Sequence, residues 1–173
     1  VIVGAGLAGS GMAAGLAGRG WRVLLVERDQ LPRHKVCGEF LSPEAQKSLT
    51  GLGLDSSVAG LAPVVLGGAV LTTPKGRTLT LDLPGQAWGI SRYALDAALA
   101  AGAAGQGAEL WCETTVTNWQ EVDGQMLVKL RRRRGASLPP STHQTAAHSW
   151  MKGEIQAEQE QTVAVVARAL LVA

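Results

Sequence analysis

Residues 4–9 read GAGLAG and follow directly after the β-branched run VIV at residues 1–3. Small and apolar residues then recur at helical spacing until Gly20, a residue suited to a left-handed helix end. Residues 21–26 follow as a nearly all-apolar run, which is typical of a parallel strand covered on both faces. The first 27 residues therefore predict a βαβ unit whose first turn is made of glycine.

The glycines of that turn have the spacing G-x-G-x-x-G. Gly4 allows a tight turn, Gly6 lets a pyrophosphate approach the backbone, and Gly9 lets the helix pack closely on the strand. The helix N-terminus adds free N–H groups and the positive end of a dipole. The pattern predicts a dinucleotide site, and it leaves FAD and NAD open because both carry adenosine diphosphate.

Glu27 stands at the end of the second strand of this unit. About eleven helical residues descend roughly 16 Å, and six strand residues climb back roughly 20 Å. We therefore expect Glu27 at the sheet edge that carries the glycines. There its carboxylate would accept hydrogen bonds from ribose hydroxyls and repel a 2′-phosphate. NADP is disfavoured at this site. The alternative is a solvated glutamate at a strand end.

Beyond this unit the chain predicts a second layer. A helix begins after Ser42, which is its expected N-cap, and ends near Gly51 or Gly53. Two strand-like runs, 64–73 and 77–83, form a hairpin that a βαβ unit does not need. A further helix is expected at 91–104, with Ser91 as N-cap, and further strands at 109–117, 126–130 and 162–173.

The predicted fold class is α/β, in one domain divided into three parts. Residues 131–161 hold almost no large apolar side chain, so we expect a flexible insertion. The four arginines at its start are interpreted as a solvated tip, because acidic residues offset them and no aromatic residues interleave. The parts are a nucleotide-binding layer (1–62, 91–130 and 162–173), the start of a substrate domain (63–90) and the insertion (131–161).

Composition excludes several other classes. Hydrophobic residues make up 46% and charged residues 17% of the chain, which is too apolar for disorder and too interrupted for a spanning helix. The net charge of +2 indicates no acidic partner. Cys37 and Cys112 are too few for a disulfide scaffold or a metal site, which favours the reducing cytoplasm. Because the first strand starts at Val1 and the last apolar run stops uncapped at Ala173, we expect a fragment of a longer protein.

Two stretches, RHKVCGEFLSP at 33–43 and ISRYALD at 90–96, resemble the geranylgeranyl reductase family of flavoproteins, within the para-hydroxybenzoate hydroxylase-like group. The likeness covers most of the chain outside 131–161, and K-x-C-G is its most particular motif. It implies a Rossmann-like FAD-binding βαβ unit with a parallel sheet, plus antiparallel strands of a partial substrate domain. Halogenases resemble this loop but carry Gly-Glu-Ser where this chain has CGE at 37–39.

The resemblance also implies the residues that contact FAD. The three glycines would hold the pyrophosphate, Glu27 the adenosine ribose with Arg28 beside it, and the backbone of Val116 the adenine. A loop would pass close to the flavin, and an arginine would reach the phosphate or ribityl region. The implied positions are Gly4, Gly6, Gly9, Glu27, Arg28, Lys35, Cys37, Gly38, Arg92 and Val116.

Arg92 and Cys37 each have a simpler interpretation. An arginine at a helix N-terminus gains nothing from the dipole, so an anionic ligand would explain Arg92. The alternative is a surface pair with Asp96, four residues on. A lone cysteine such as Cys37 is more often a small buried residue than a nucleophile, and no catalytic residue is assigned.

The resemblance implies an FAD-dependent oxidoreductase that reduces a lipophilic, isoprenoid-like substrate with electrons from NAD(P)H. The alternatives are an FAD-dependent aromatic or polyketide monooxygenase, an NAD-dependent dehydrogenase of the same fold, and a non-catalytic nucleotide-binding module. We expect a small-molecule partner and no nucleic acid. Peripheral contact with a membrane and the oligomeric state are left open.

Overall fold

A computed structural model describes residues 1–133, 151–156 and 160–173. Within them the chain forms one parallel sheet and two antiparallel sheets, and the strands of the antiparallel sheets lie between strands of the parallel one in sequence. In chain order the elements are β1 (Ile2–Val3), α1 (Leu7–Ala17), β2 (Leu24–Val26), β3 (Phe40–Leu41), α2 (Pro43–Gly51), α3 (Asp55–Ala59), β4 (Val64–Thr72), β5 (Thr78–Gly89), α4 (Arg92–Gly105), β6 (Glu109–Trp111), β7 (Thr114–Val122), β8 (Gln125–Arg133), β9 (Met151–Gln156), β10 (Glu160–Ala167) and β11 (Leu171–Val172).

The first sheet is parallel, with strand order β11-β1-β2-β6. Ile2 of β1 is in register with Leu25 of β2 and with Leu171 of β11. Leu25 belongs to the core cluster that includes residues of α1 and α4. Its neighbours Leu24 and Val26 belong to a second cluster on the other face. The all-apolar sequence of β2 is thus explained by burial on both faces.

The second cluster is completed by an antiparallel sheet of order β7-β8-β10-β9. Val128 and Leu130 of β8, with Val163 and Val165 of β10, pack in the same cluster as β2 and Trp111. The β7–β8 hairpin turns at Asp123 and Gly124, whose φ angles are 51° and 71°. This pair of left-handed residues is the turn that Asp-Gly favours. The parallel sheet therefore lies between the helices and this antiparallel sheet.

The third sheet has the order β3-β5-β4 and contains the hairpin expected from the sequence. Its strands are mostly exposed. β3 was not expected, because it lies in a stretch predicted as loop; it pairs with the end of β5 through Phe40 and Gly89. The α/β class, with a parallel sheet and additional antiparallel strands, is confirmed.

The two predicted helix caps are present. The Ser42 Oγ accepts a hydrogen bond from the Ala45 N–H, and the Ser91 Oγ accepts one from the Ala94 N–H, each at 3.3 Å. These bonds satisfy N–H groups that have no partner within the first helical turn. Ser91 thereby fixes where α4 begins and places Arg92 at its first helical position.

Two strands predicted as continuous are broken. The run 109–117 divides into β6 and β7 at Glu113, whose φ of 50° turns the chain from the parallel sheet into the antiparallel one. The run 162–173 divides in the same way, so β10 lies in the antiparallel sheet and β11 in the parallel one. The single strand expected for each run was therefore wrong.

The segment 131–161, expected as a flexible insertion, is only partly described. Its first three residues continue β8, residues 151–156 form β9, and β10 begins at Glu160. Residues 134–150 and 157–159 lie outside the described part of the chain. The antiparallel sheet thus extends further into this segment than its polar composition indicated.

Candidate FAD site

The glycine turn connects β1 to α1. Gly4 has a φ of 100°, in the left-handed region that favours glycine, and its N–H donates to the Val26 carbonyl at 2.7 Å. A Cβ on Gly9 would collide with the Gly4 carbonyl oxygen. These two glycines are therefore required by the protein's own packing, as expected for a tight turn and for close approach of helix to strand.

Gly6 differs from the other two glycines. The nearest atom to a Cβ placed on it is the Arg92 Nη2 at 3.5 Å, an ordinary contact. Packing within the protein therefore does not explain the missing side chain. Gly6 is also the N-cap of α1 and offers no side-chain cap, and the first helical turn carries no acidic residue. Free N–H groups and a positive dipole end fit an anion such as a pyrophosphate.

Arg92 lies beside this turn and forms a bidentate pair with Asp96. Its Nε donates to Oδ1 at 2.6 Å and its Nη2 to Oδ2 at 2.9 Å. The Asp96 side chain is 0% exposed and that of Arg92 only 12%. The hydrogen bond to Asp96 is the main cause that raises the pKa of Arg92. The Arg92–Asp96 pair considered from the sequence is therefore present, but it is largely buried rather than on the surface. The Arg92 guanidinium also adjoins Gly6.

Glu27 reaches the same edge of the sheet, at the end of β2. It is only 3% exposed, so it is not a solvated strand-end residue. Its Oε2 accepts from the Ala5 N–H at 2.9 Å and from the Arg33 Nη2 at 3.1 Å, and its Oε1 accepts from the Asp29 N–H at 3.1 Å. The Glu27 carboxylate therefore lies at the glycine turn, the position expected from the lengths of the helix and the strand.

The protonation of Glu27 follows from these contacts. Burial raises the pKa of the carboxyl, but the hydrogen bonds from the Asp29 and Ala5 amides and from Arg33 outweigh it. The net result is a pKa below the ordinary value for glutamate. Glu27 is therefore an anion at neutral pH, and an ionised carboxylate can accept hydrogen bonds from ribose hydroxyls.

The loop after β2 connects the two ends of the site. Cys37 in this loop adds, after Asp96, to the causes that raise the pKa of Arg92. The His34 and Tyr93 rings, with centroids 4.6 Å apart, join the loop to the first turn of α4. Cys37 is exposed rather than the buried residue considered from the sequence.

The remaining candidates take no part in the contacts described above. Lys35 and Gly38 are exposed residues of the same loop. Arg28 is exposed and its Nε lies 3.5 Å from the Asp29 Oδ2. Val116 is a half-buried residue of β7 that packs against the second core cluster.

Two residues of the site, Arg33 and Asp96, are not among the residues predicted to contact FAD. Arg33 contacts Glu27, and Asp96 holds Arg92. Asp96 had a detectable signal, its i,i+4 spacing from Arg92 on a helix. Arg33 had only its place six residues after Glu27, in a loop whose path no periodicity predicts.

The described part of the chain has neither a membrane-spanning helix nor a metal-binding cluster. No helix there is both long and apolar enough to cross a membrane. Residues 1–133, 151–156 and 160–173 also contain no group of three or more His, Cys, Asp or Glu side chains arranged to hold a metal ion.

Curated proteins match parts of the chain. Squalene epoxidase 5 of Arabidopsis thaliana is 41% identical over 61 residues, covering 35% of this chain and 12% of that protein. Menaquinone reductase of Mycolicibacterium smegmatis is 48% identical over 56 residues, 32% of this chain and 14% of that protein. Squalene monooxygenase SE1 of Panax ginseng is 39% identical over 84 residues, 48% and 16% respectively. The matches thus span well under a quarter of each relative's length.

Solved structures show the same fold. A flavoprotein/dehydrogenase from Cytophaga hutchinsonii superposes with a TM-score of 0.74 at 22% identity, over 99% of this chain and 38% of its own. A halogenase solved in complex with phloroglucinol and FAD gives a TM-score of 0.66 at 19% identity, over 99% and 33%. The sequence pattern of the FAD binding domain matches residues 1–159. With the glycine turn and the Glu27 edge in place, this chain belongs to the FAD binding domain family.

Proposed function

We propose that this chain is the FAD-binding part of an oxidoreductase that acts on a lipophilic, isoprenoid-like substrate with electrons from NAD(P)H. The observation that carries the proposal is the space at Gly6. Its missing side chain is not required by packing, an uncapped helix begins there, and the Arg92 guanidinium lies alongside. These groups together suit the pyrophosphate of a dinucleotide.

The other residues would each hold one part of the cofactor. Glu27 would accept hydrogen bonds from the hydroxyls of the adenosine ribose, with Arg28 beside it. The Val116 backbone would contact the adenine. Lys35 and the residues at 37–38 would lie along the flavin. When bound, the flavin supplies the redox chemistry. The protein's part is to bind it, orient it and keep Arg92 charged next to its phosphates.

Similarity to known reductases supports the hypothesis that the protein is a reductase. The K-x-C-G loop and the helix beginning at Arg92 resemble the geranylgeranyl reductase family, and menaquinone reductase is 48% identical over 56 residues. Both names indicate reduction of a lipophilic molecule. Residues 37–39 read CGE where halogenases carry Gly-Glu-Ser, and halogenation is therefore not part of the proposal.

A monooxygenase is the second candidate, supported by a separate observation. Squalene monooxygenase SE1 is 39% identical over 84 residues, a longer match than that of the reductase. Both candidates use a lipophilic substrate and bound FAD, so the binding residues do not separate them. A non-catalytic nucleotide-binding module is a third class and would show no flavin reduction by NAD(P)H.

Oxygen dependence distinguishes these functions. The protein is supplied with NADH or NADPH and a candidate isoprenoid, with and without oxygen, and the product is analysed by mass. A reductase converts the substrate without oxygen and adds two hydrogens. Strict dependence on oxygen, with a product heavier by one oxygen atom, would replace the reductase with the monooxygenase. Flavin that no nicotinamide reduces would indicate a non-catalytic module or another electron donor.

A substitution at Gly6 tests the FAD site itself. Gly6→Val puts a branched side chain where the pyrophosphate would approach, and we expect the variant to lose its flavin while it remains folded. Gly67→Val is the matched control, because Gly67 lies exposed in β4 with nothing within 4 Å of a Cβ. Flavin absorbance per protein is the measurement. A Gly6→Val variant that purifies with stoichiometric FAD would mean that the site is elsewhere.

A further inference from the structure

The structure gives the loop residue Arg33 a contact that its position in the sequence did not suggest. Its Nη2 lies 3.1 Å from the Glu27 Oε2, and its Nε lies 3.5 Å from the Asp29 Oδ2. The Arg33 side chain is 19% exposed and that of Glu27 4%. This is a largely desolvated charge pair, so its geometry is better defined than that of a surface pair.

The hydrogen bonds of Glu27 divide unequally between its two oxygens. Among donors in the described part of the chain, Oε2 accepts from both Arg33 and the Ala5 N–H, whereas Oε1 accepts only from the Asp29 N–H. An ionised carboxylate has about four acceptor sites, two on each oxygen. Donors within residues 1–133, 151–156 and 160–173 occupy three of these sites, and the fourth lies on Oε1. A ribose hydroxyl can therefore bond to Oε1 without displacing Arg33.

We propose that Arg33 is a positioning residue of the nucleotide site, which holds the Glu27 carboxylate so that Oε1 is presented to the adenosine ribose. The inference rests on the proposed placement of that ribose at Glu27. Arg33 acts through Glu27 and need not touch the cofactor. Without Arg33 the carboxylate would keep its two backbone bonds but lose the charged partner that fixes Oε2.

The test compares two ligands in three variants. The ligands are FAD and its 2′,3′-dideoxyadenosine analogue, which lacks the ribose hydroxyls, and the quantity is the ratio of their dissociation constants. In the wild-type protein FAD binds more tightly than the analogue. In Arg33→Met we expect FAD to bind roughly tenfold more weakly, the size of a lost hydrogen bond to a charged group, with the analogue much less affected.

The controls separate positioning from a structural role. Arg33→Lys keeps the charge but loses the planar fork, so its ratio is expected between those of wild type and Arg33→Met. If Arg33→Met fails to fold, Arg33→Lys carries the test alone. Arg19→Met removes an exposed arginine that follows α1 and donates a hydrogen bond to the Gly15 carbonyl, and its ratio is expected to equal that of wild type.

Three results would overturn the inference. If Arg33→Met weakens both ligands equally, Arg33 only supports the loop. If FAD binds more tightly to the variant, Arg33 competes with the ribose for Glu27. In both cases the wild-type preference for FAD would leave the proposed FAD site intact. A wild-type protein that binds neither ligand would overturn that site, and the role of Arg33 with it.

Discussion

Strand β2 of the parallel sheet and the β4–β5 hairpin both carry apolar side chains, yet only β2 buries all of them. Leu25 of β2 is 0% exposed. Leu71 of β4 and Leu79 of β5 lie opposite each other in the hairpin and are 58% and 55% exposed. Similar residues in strands of one chain thus have opposite environments, and the candidate FAD site belongs to the buried region.

The difference follows from how the two kinds of sheet complete their hydrogen bonds. Parallel strands need crossover connections, and the helices that provide them cover the sheet. The two strands of a hairpin pair with each other through a short turn, so no crossover helix has to cover their faces. Its leucines share one face because directly opposed residues point the same way, whereas Val70 and Thr80 lie on the other. The structure of the nucleotide-binding region therefore depends on packing between sheet and helices, whereas that of the hairpin depends on pairing between two neighbouring strands.

The largest contrast is expected between two aspartates. Asp96→Ala would leave the Arg92 guanidinium largely buried without its carboxylate, and breaking such a pair costs about 3–5 kcal/mol. Asp82→Ala removes an exposed carboxylate of β5 and should change stability by within about 0.5 kcal/mol. Urea unfolding of both variants is the measurement. Equal losses would mean that burial of the pair does not determine its contribution.

A smaller contrast is expected between two leucines. Leu25→Ala opens a cavity between the parallel sheet and the helices, with an expected loss of about 2–5 kcal/mol in the free energy of unfolding. Leu79→Ala removes a side chain that is already half exposed, so its effect should stay within about 0.5 kcal/mol. A Leu79→Ala loss as large as that of Leu25→Ala would show that the hairpin face is covered in the protein.

The two regions also differ in how far the sequence predicts them. Local signals correctly gave the first βαβ unit, the Ser42 and Ser91 caps and the hairpin, because capping side chains and alternation act within a few residues. The break at Glu113 was missed, since a left-handed glutamate has no signature in sequence. The split of 162–173 was missed because both new strands are apolar and only tertiary pairing assigns them to different sheets.

The same limit applies to the candidate site. The position of Glu27 followed from the lengths of α1 and β2, which are fixed by backbone geometry. Its burial and its pair with Arg33 did not follow, because they depend on the route of a loop. Besides the ligand binding proposed for Glu27, these contacts give the residue a contribution to stability, which can be measured without any ligand.

The smallest effect is expected from acid, and it concerns Glu27. Its pKa is lower in the folded protein than the ordinary value of 4.5, because hydrogen bonds from the Asp29 and Ala5 amides and from Arg33 outweigh the effect of burial. A lowered folded pKa stabilises the fold fully above about pH 4.5, and this stabilisation is lost as the pH falls through the folded value. Glu27→Gln removes the titrating group, so the difference in unfolding free energy between wild type and this variant should shrink as the pH falls below 4.5. Leu79→Ala in the exposed hairpin is the control, because it removes no titrating group, and its difference from wild type should change less over the same range. A Glu27→Gln difference that stays constant from pH 7 to pH 3 would show that the carboxylate is not held by its three donors.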